Sequence, residues 1–209
     1  MKNKPITIAI AKGRTFNDNQ RYLIQLGFTN NQFEISDRSL IFKHPNKLLT
    51  LVKVRSIDVT TLVHIGVADL GVVGKDILLE NECSGIIELS DLGNSKCKMV
   101  YAKPKHSIFT NYSSLLIATK YPNITKNYFL AKKINVDTVI LHGALEMAPS
   151  IGLADAIVDL SNTGDSLKAH NLVIEDELFL SSARLIANRA AYITKRNELE
   201  QIKNIFNLR

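Results

Sequence analysis

The clearest chemistry in this chain lies in a polar turn between an apolar run and a helix start. The apolar run 156–160 predicts a buried strand, and the pair Asp165-Ser166 predicts the first turn of a helix. The turn between them, Ser161-Asn162-Thr163-Gly164, leaves main-chain N–H groups without partners near the positive end of the helix. Such a turn suits a phosphate, because the amides and hydroxyls donate hydrogen bonds and glycine allows close approach.

Two carboxylates lie close to this turn in the sequence. Asp159 ends the predicted strand and Glu146 lies upstream, so both could accept hydrogen bonds from sugar hydroxyls beside the phosphate. The hypothesis is a phosphorylated-sugar site, and its residues are Glu146, Asp159, Ser161, Asn162, Thr163, Gly164, Asp165, Ser166 and Leu167. The alternative is an ordinary strand-to-helix connection with Asp165 as its N-cap.

Basic residues next to other predicted strands suggest further anion contacts. Lys12-Gly13-Arg14 follows the first apolar run, at the strand end where open α/β sheets bind ligands. Arg38 and Arg55 also adjoin predicted strands, and a guanidinium group suits phosphate oxygens bidentately. The alternatives are a basic surface turn at Lys12 and Arg14, and an ion pair of Arg55 with Asp58.

Several function classes are excluded or disfavoured by the sequence. A Walker A loop would need glycine where Asp69 stands and serine or threonine where Asp76 stands. The net charge is +6 and the pI about 9.3, but the basic residues are dispersed, so we expect no nucleic-acid binding. No apolar run reaches the ~20 residues of a membrane helix, and no membrane association is expected. The two cysteines and five histidines do not have the spacing of metal ligands, so no metal ligands are assigned. A cytoplasmic location is predicted.

The elements that position these residues follow an α/β pattern. Short apolar runs at 6–11, 49–54, 70–73, 86–89, 99–102, 115–118, 136–141 and 156–160 predict strands. Helical patterns lie between them: one ends at Gly27, one ends at Gly66, and others cover 122–133 and 195–208. A polar, glycine-containing break at 91–96 and a second crossing near 180–183 predict one lobe from 1–90 plus 181–209 and another from 91–180.

The motifs taken together resemble one family. Glu-Met-Ala-Pro at 146–149, Gly-Leu-Ala-Asp-Ala-Ile-Val-Asp at 152–159 and Thr-Gly-Asp-Ser-Leu at 163–167 resemble the signature of ATP phosphoribosyltransferase. Lys-Gly-Arg at 12–14 and the glycine-rich run 66–76 also match. The chain departs from the family at Met147, where leucine is usual, and at Asp165-Ser166, where threonine usually follows asparagine or alanine. Ser166 keeps the hydroxyl, whereas Asp165 adds a negative charge beside the phosphate.

The resemblance implies a fold, a reaction and residue roles. The family has two α/β lobes with a central cleft, like a type II periplasmic binding protein, and catalyses the first step of histidine biosynthesis. N1 of ATP attacks C1 of phosphoribosyl pyrophosphate, with Mg²⁺ carried by the substrate pyrophosphate. Lys12, Arg38 and Arg55 would then be catalytic, Arg14 would bind the pyrophosphate, and the turn would bind the 5-phosphate.

The resemblance also implies partners. With no room for the regulatory domain of the long form, the chain resembles the short form, which works with a regulatory subunit similar to histidyl-tRNA synthetase. The expected assembly is a hetero-octamer built from homodimers of this chain. One alternative function stays open at this point: a non-catalytic two-lobe module that binds or senses a small anion.

Overall fold

The computed structural model describes residues 5–28, 39–44, 47–81, 83–107 and 115–207. The chain forms two compact units, one made of Met1–Ser95 with Ser182–Arg209 and the other of Lys96–Ser181. Each unit contains one β-sheet with helices, so the predicted α/β class is confirmed. Within the described residues, every helix falls short of the length and apolar character that a bilayer crossing demands.

The elements have the following bounds. The strands are β1 Ile6–Ala11, β2 Ile41–Lys43, β3 Leu49–Val54, β4 Leu70–Gly74, β5 Ile86–Asp91, β6 Cys97–Pro104, β7 Leu116–Thr119, β8 Asp137–Ile140, β9 Ala156–Ser161, β10 Leu172–Ser181 and β11 Ala183–Asn188. The α-helices are α1 Arg14–Gln25, α2 Ser56–His64, α3 Lys75–Glu80, α4 Pro122–Ala131, α5 Asp165–Ala169, α6 Arg189–Thr194 and α7 Arg196–Phe206, and a 3₁₀ turn covers Leu145–Met147.

The sheet of the first unit has the strand order β2-β3-β1-β4-β11-β5. β1 is parallel to both β3 and β4, and each of these three strands leads directly into a helix. β11 is antiparallel to β4 and β5 and lies between them. The carboxyl ends of β1, β3 and β4, with the helix starts that follow them, therefore share one edge of this sheet.

Apolar side chains on the helices bury this sheet. Phe16 and Leu23 of α1 are buried in the same cluster as Ile8 and Ile10 of β1, and Leu199 of α7 joins them. Gly27 (φ +103°) and Gly66 (φ +75°) adopt the left-handed conformation just past α1 and α2. Both predicted helix ends are therefore confirmed, for the conformational reason that favours glycine there.

The sheet of the second unit has the strand order β10-β6-β9-β7-β8. β7 is parallel to β8 and β9, whereas β6 is antiparallel to β9 and β10. Thr119, which is fully buried, donates from Oγ1 to the carbonyl oxygen of Val158 at 2.7 Å and accepts from the N–H of Tyr121 at 2.9 Å. These bonds fix the start of α4 to the strand that carries Asp159.

The strand predictions agree with the structure except for three strands. All eight apolar runs correspond to strands, with ends shifted by no more than a few residues. The strands not predicted are β2, β10 and β11. β10 contains Glu175, Asp176 and Glu177 and lies at a sheet edge, so its sequence lacks a continuous apolar run. The helix expected over 195–208 is confirmed as α7, whereas α6, which lies before the break at Lys195, was not predicted.

Candidate active site

The turn after β9 has the geometry that its sequence predicts. Gly164 adopts φ +81° and is the N-cap of α5, so the alternative that made Asp165 the N-cap is wrong by one residue. Within the described residues, the main-chain N–H groups of Thr163, Gly164, Ser166 and Leu167 donate no hydrogen bond. The N–H of Asp165 makes only a long contact of 3.4 Å with Thr163 Oγ1. The turn therefore presents several donors to a ligand.

This turn encloses a cavity in the second unit. Its volume is about 210 Å³, which is large enough for a phosphate group and part of a sugar ring. Nine of the ten residues predicted to bind substrate line it, namely Glu146, Asp159, Ser161, Asn162, Thr163, Gly164, Asp165, Ser166 and Leu167, together with Val100 and Leu160. The tenth, Arg14, belongs to the first unit.

The two carboxylates of the cavity have different environments. Glu146 Oε1 accepts a hydrogen bond from the hydroxyl of Ser166, and this bond is the main reason that the pKa of Glu146 lies below its ordinary value. A contact with its own backbone and the charge of His170 lower this pKa further. Asp159 Oδ1 accepts from the N–H of Leu160 at 2.8 Å. The cavity thus combines amide donors on the turn with two carboxylate acceptors.

The first unit gathers cations at one edge of its sheet. Ala11 pairs with Val54 in the parallel register of β1 and β3, so the next residues, Lys12 and Arg55, follow neighbouring strands. Lys75 follows β4 on the other side of β1. Gly13, Arg55 and Gly74 are the N-caps of α1, α2 and α3, so partial positive charge from the helix ends adds to that of the side chains. This edge suits a polyphosphate.

The individual side chains at this edge differ in their contacts. Lys12, Arg14 and Arg55 are exposed. Arg14 Nη2 lies 3.4 Å from the carbonyl oxygen of Ser95. Arg55 forms no ion pair with Asp58 in the structure, although the N–H of Asp58 donates to the Arg55 carbonyl oxygen at 3.0 Å. Arg38 lies outside the described residues.

Comparison with known proteins identifies the family to which this arrangement belongs. A family model described as ATP phosphoribosyltransferase matches residues 55–207. The chain belongs to the ATP phosphoribosyltransferase family. It is 44% identical over 193 residues to an ATP phosphoribosyltransferase of Symbiobacterium thermophilum, covering 90% of this chain and 87% of the relative. It is 43% identical to that of Clostridioides difficile strain 630, covering 97% and 96% of the two chains.

Solved structures give the same result for this ATP phosphoribosyltransferase family member. A chain of the ATP phosphoribosyl transferase (HisG:HisZ) complex from Thermotoga maritima is similar with a TM-score of 0.83 and 34% identity, covering 97% and 98% of the two chains. The alkanesulfonate-binding protein SsuA from Xanthomonas axonopodis pv. citri is similar with a TM-score of 0.61 at 13% identity, covering 99% and 73%. At that identity the likeness concerns the fold alone, and it agrees with the expected binding-protein-like architecture.

One basic residue near the cavity of the second unit, Lys120, was not singled out from the sequence. Thr119 pairs with Val158 in the parallel register of β7 and β9, so Lys120 follows β7 directly beside Asp159. The available signal was the one used for Lys12, a basic residue just after a buried apolar run. Lys75 contacts Glu88 Oε2 at 2.7 Å, and Glu88 Oε1 accepts from Arg184 at 2.9 Å. No local signal predicts those pairings, because the partners are distant in the sequence.

Proposed function

We propose that this chain catalyses the attack of N1 of ATP on C1 of phosphoribosyl pyrophosphate, which releases pyrophosphate and gives phosphoribosyl-ATP. The observation that carries the proposal is the cavity at Ser161–Leu167, whose free amides and two carboxylates suit a phosphorylated sugar. Membership of the ATP phosphoribosyltransferase family supports the reaction. The alternative of a non-catalytic anion sensor has no support beyond the fold that it would share.

The chemistry explains why no acid–base pair is required. N1 of adenine carries a lone pair and no hydrogen, so the nucleophile needs no base to remove a proton. Pyrophosphate leaves as a stable anion with the electron pair of the C1–O bond, so charge stabilisation replaces protonation of the leaving group. C1 passes through an oxocarbenium-like state, as in other glycosyl transfers. Positioning of the two reactants supplies much of the remaining rate.

The cavity of the second unit is assigned the ribose 5-phosphate end of the substrate. The amides of 163–167 and the Thr163 and Ser166 hydroxyls would donate to the phosphate, while Glu146 and Asp159 would accept from the ribose hydroxyls. Three or four charge-assisted hydrogen bonds of roughly 1.5–3 kcal/mol each support micromolar binding after the cost of association. Asp165 also lines the cavity, so its charge offsets part of this attraction.

The cationic edge of the first unit is assigned the pyrophosphate. Lys12 and Arg14 would stabilise the charge that develops on the leaving group, and Arg55 would contact the pyrophosphate or the triphosphate of ATP. Their exposure leaves them available to a ligand, and the helix N-termini beside them favour anions. The assignment of Arg38 to the pyrophosphate stays a prediction from the sequence.

Magnesium enters the proposal as part of the substrate. The described residues contain no group of three or more histidine, cysteine, aspartate or glutamate side chains that could hold a metal ion. Mg²⁺ bound to substrate phosphates keeps several waters and needs only one or two protein carboxylates. As in the prediction from the sequence, we assign it to the pyrophosphate oxygens of the substrate and name no side chain of this chain as its ligand.

We further propose that the chain works with a regulatory subunit. The similar Thermotoga maritima chain was solved as a HisG:HisZ complex, and this chain covers 98% of its length. A hetero-octamer built on homodimers, with a subunit resembling histidyl-tRNA synthetase, stays the predicted assembly. A cytoplasmic location likewise stays a prediction from the sequence.

The test is pyrophosphate release from ATP, phosphoribosyl pyrophosphate and Mg²⁺, with mass spectrometry of the nucleotide product. The assay is run with and without the regulatory subunit, and each substrate is omitted in turn. We expect pyrophosphate in equal amount to N1-modified ATP, and none when either substrate is absent. Ligand-induced stabilisation without turnover in the presence of the regulatory subunit would contradict the proposal and favour the sensor.

A further inference from the structure

Helix α1 begins at the cationic edge without a side chain to fix its start. Its N-cap is Gly13, which accepts the N–H of Asn17 at its carbonyl oxygen but has no side chain to cap the helix. The first turn contains no acidic residue, and Lys12 and Arg14 add positive charge beside the positive helix end. Repulsion there disfavours a fixed position for the Lys12–Arg14 turn. The N–H of Lys12 donates to the carbonyl oxygen of Val54 at 2.8 Å and holds the turn on the side of β3, while a further contact holds α1 itself.

That contact is a buried amide pair. Asn19 of α1 is fully buried and forms reciprocal hydrogen bonds with Asn94: Asn94 Nδ2 donates to Asn19 Oδ1 at 3.0 Å, and Asn19 Nδ2 lies 3.3 Å from Asn94 Oδ1. Asn19 Nδ2 also donates to the carbonyl oxygen of Thr15 at 2.7 Å. A buried amide without hydrogen-bond partners destabilises the fold. The pairing therefore favours the one position of α1 in which Asn19 and Asn94 can bond to each other.

Neighbouring residues extend the pairing to Arg14. Ser95 Oγ donates to Asp18 Oδ2 at 2.7 Å, while the Ser95 carbonyl oxygen faces Arg14 Nη2 at 3.4 Å. Ser95 adopts φ +51°, a left-handed conformation that is uncommon outside glycine. Asn94 is itself held, because its carbonyl oxygen accepts the N–H of Ala183 at 3.0 Å.

We propose that Asp18, Asn19, Asn94 and Ser95, which we call the α1 clamp, are positioning residues that hold Arg14 and the Lys12–Arg14 turn for the pyrophosphate. The inference rests on the proposed function, because it assumes that this turn binds the leaving group. The clamp residues need no contact with substrate. They act by fixing the position and orientation of α1.

The test is steady-state kinetics of the full chain with its regulatory subunit, comparing Asn19→Ala, Asn94→Ala and the double variant. We expect each single change to raise the KM for phosphoribosyl pyrophosphate about ten-fold and the KM for ATP less than two-fold, because a shifted turn weakens only the contacts to the first substrate. The double variant should be no worse than the more affected single variant, since one bond pair is lost in all three. Asn94→Asp keeps the acceptor for Asn19 Nδ2 and should give an intermediate KM.

Two further variants keep the test decisive. Asn17→Ala removes an exposed asparagine from the same helix and should leave both KM values unchanged. Ser95→Gly tolerates the positive φ and removes the hydroxyl, so it reports on the clamp even where Asn19→Ala fails to fold. If the clamp variants lower the melting temperature while both KM values stay as in the wild type, their role is structural and the inference fails. Absence of turnover by the wild type would instead refute the proposed function.

Discussion

The hydroxyl of Ser166 donates its hydrogen bond to the carboxylate of Glu146, twenty positions earlier in the sequence. A hydroxyl carries one hydrogen, so Ser166 cannot donate to Glu146 and to a phosphate at the same time. The charge of Glu146 also opposes an incoming phosphate. In the proposed site, donation by Ser166 to the 5-phosphate therefore requires the pair to separate, which frees Glu146 Oε1 to accept from the ribose hydroxyls.

Glu146→Gln should tighten the binding of inorganic phosphate several-fold, because the competing acceptor loses its charge. The same variant should lose most of the extra affinity that ribose 5-phosphate has over phosphate, since the acceptor for the sugar hydroxyls is weakened. Isothermal titration calorimetry with the two ligands measures both effects. Asp137→Asn removes a charge at the start of β8, at the opposite end of the same sheet, and serves as the control. Unchanged affinity for both ligands would show that Glu146 does not contact them.

Ser166→Ala should weaken the binding of ribose 5-phosphate about ten-fold, because the loss of one charge-assisted hydrogen bond outweighs the gain from removing the competing contact with Glu146. Ser166→Thr keeps the hydroxyl and should bind within two- to three-fold of the wild type, on the order of the context effects expected for such bonds. The measurement is again titration calorimetry. Equal weakening by both substitutions would point to a packing effect.

The Ser166–Glu146 bond should make stability depend on pH in one direction. The Ser166 hydroxyl lowers the pKa of Glu146 in the folded chain below the ordinary 4.5, whereas the unfolded chain keeps the ordinary value. The charged carboxylate therefore stabilises the fold above the ordinary pKa, and this contribution is lost as the pH falls through the lowered pKa. The difference in melting temperature between wild type and Ser166→Ala should shrink from pH 7 to pH 3. A difference of the same size at both values would contradict this prediction.

Arg55→Ala should reduce kcat/KM by at least about a hundred-fold, as expected when a phosphate-binding guanidinium is lost, with little effect on folding. Arg55 is exposed and forms no ion pair with Asp58, so the free energy of unfolding should change by no more than about 0.5 kcal/mol. Urea unfolding and the pyrophosphate assay measure the two quantities. Arg189→Ala, at an exposed arginine of α6, is the matched control and should retain full activity. A parallel loss of activity and stability in Arg55→Ala would assign it a structural role.

Asp69→Ala should lower the free energy of unfolding by about 2–3 kcal/mol, since it removes a buried carboxylate and leaves two partly buried donors unsatisfied. Asp69 Oδ2 accepts from the N–H of Thr7 at 2.8 Å, and Oδ1 accepts from Lys195 at 2.8 Å. Lys195→Ala and the double variant complete a cycle by urea unfolding, and we expect the effects to be less than additive. Additive losses would show that the two residues do not stabilise the fold through their ion pair.

Much of the fold was predictable because its signals are local. The apolar runs of β1, β3 and β9 and the glycines after α1 and α2 each depend on neighbouring residues in the sequence. β10 was missed because three consecutive acidic residues, 175–177, divide its apolar residues into two short groups. β11 was missed because Arg184 interrupts its apolar pattern, and its partners β4 and β5 lie far away in the sequence.

The site was predictable to a different extent in each unit. Most of the cavity of the second unit is lined by residues of one stretch, 146–167, so the local chemistry and the resemblance of that stretch to the family signature grouped Glu146, Asp159 and the turn. The α1 clamp joins residues 75 to 77 positions apart through amide and hydroxyl bonds. Isolated asparagines and serines are common in loops and helices, and only the three-dimensional arrangement distinguishes Asn19 and Asn94 from the rest.

Strand β5 pairs with β11 alone among the described strands, and Arg184 of β11 reaches back 96 positions to Glu88. A ribosome therefore delivers five of the six strands of this sheet long before β11, which joins β4 to β5. Residues 96–181 form an uninterrupted unit and can fold as soon as they emerge, whereas the nascent N-terminal segment must wait for residues 182–209. The cationic edge that begins the sequence is consequently among the last parts of the enzyme to mature.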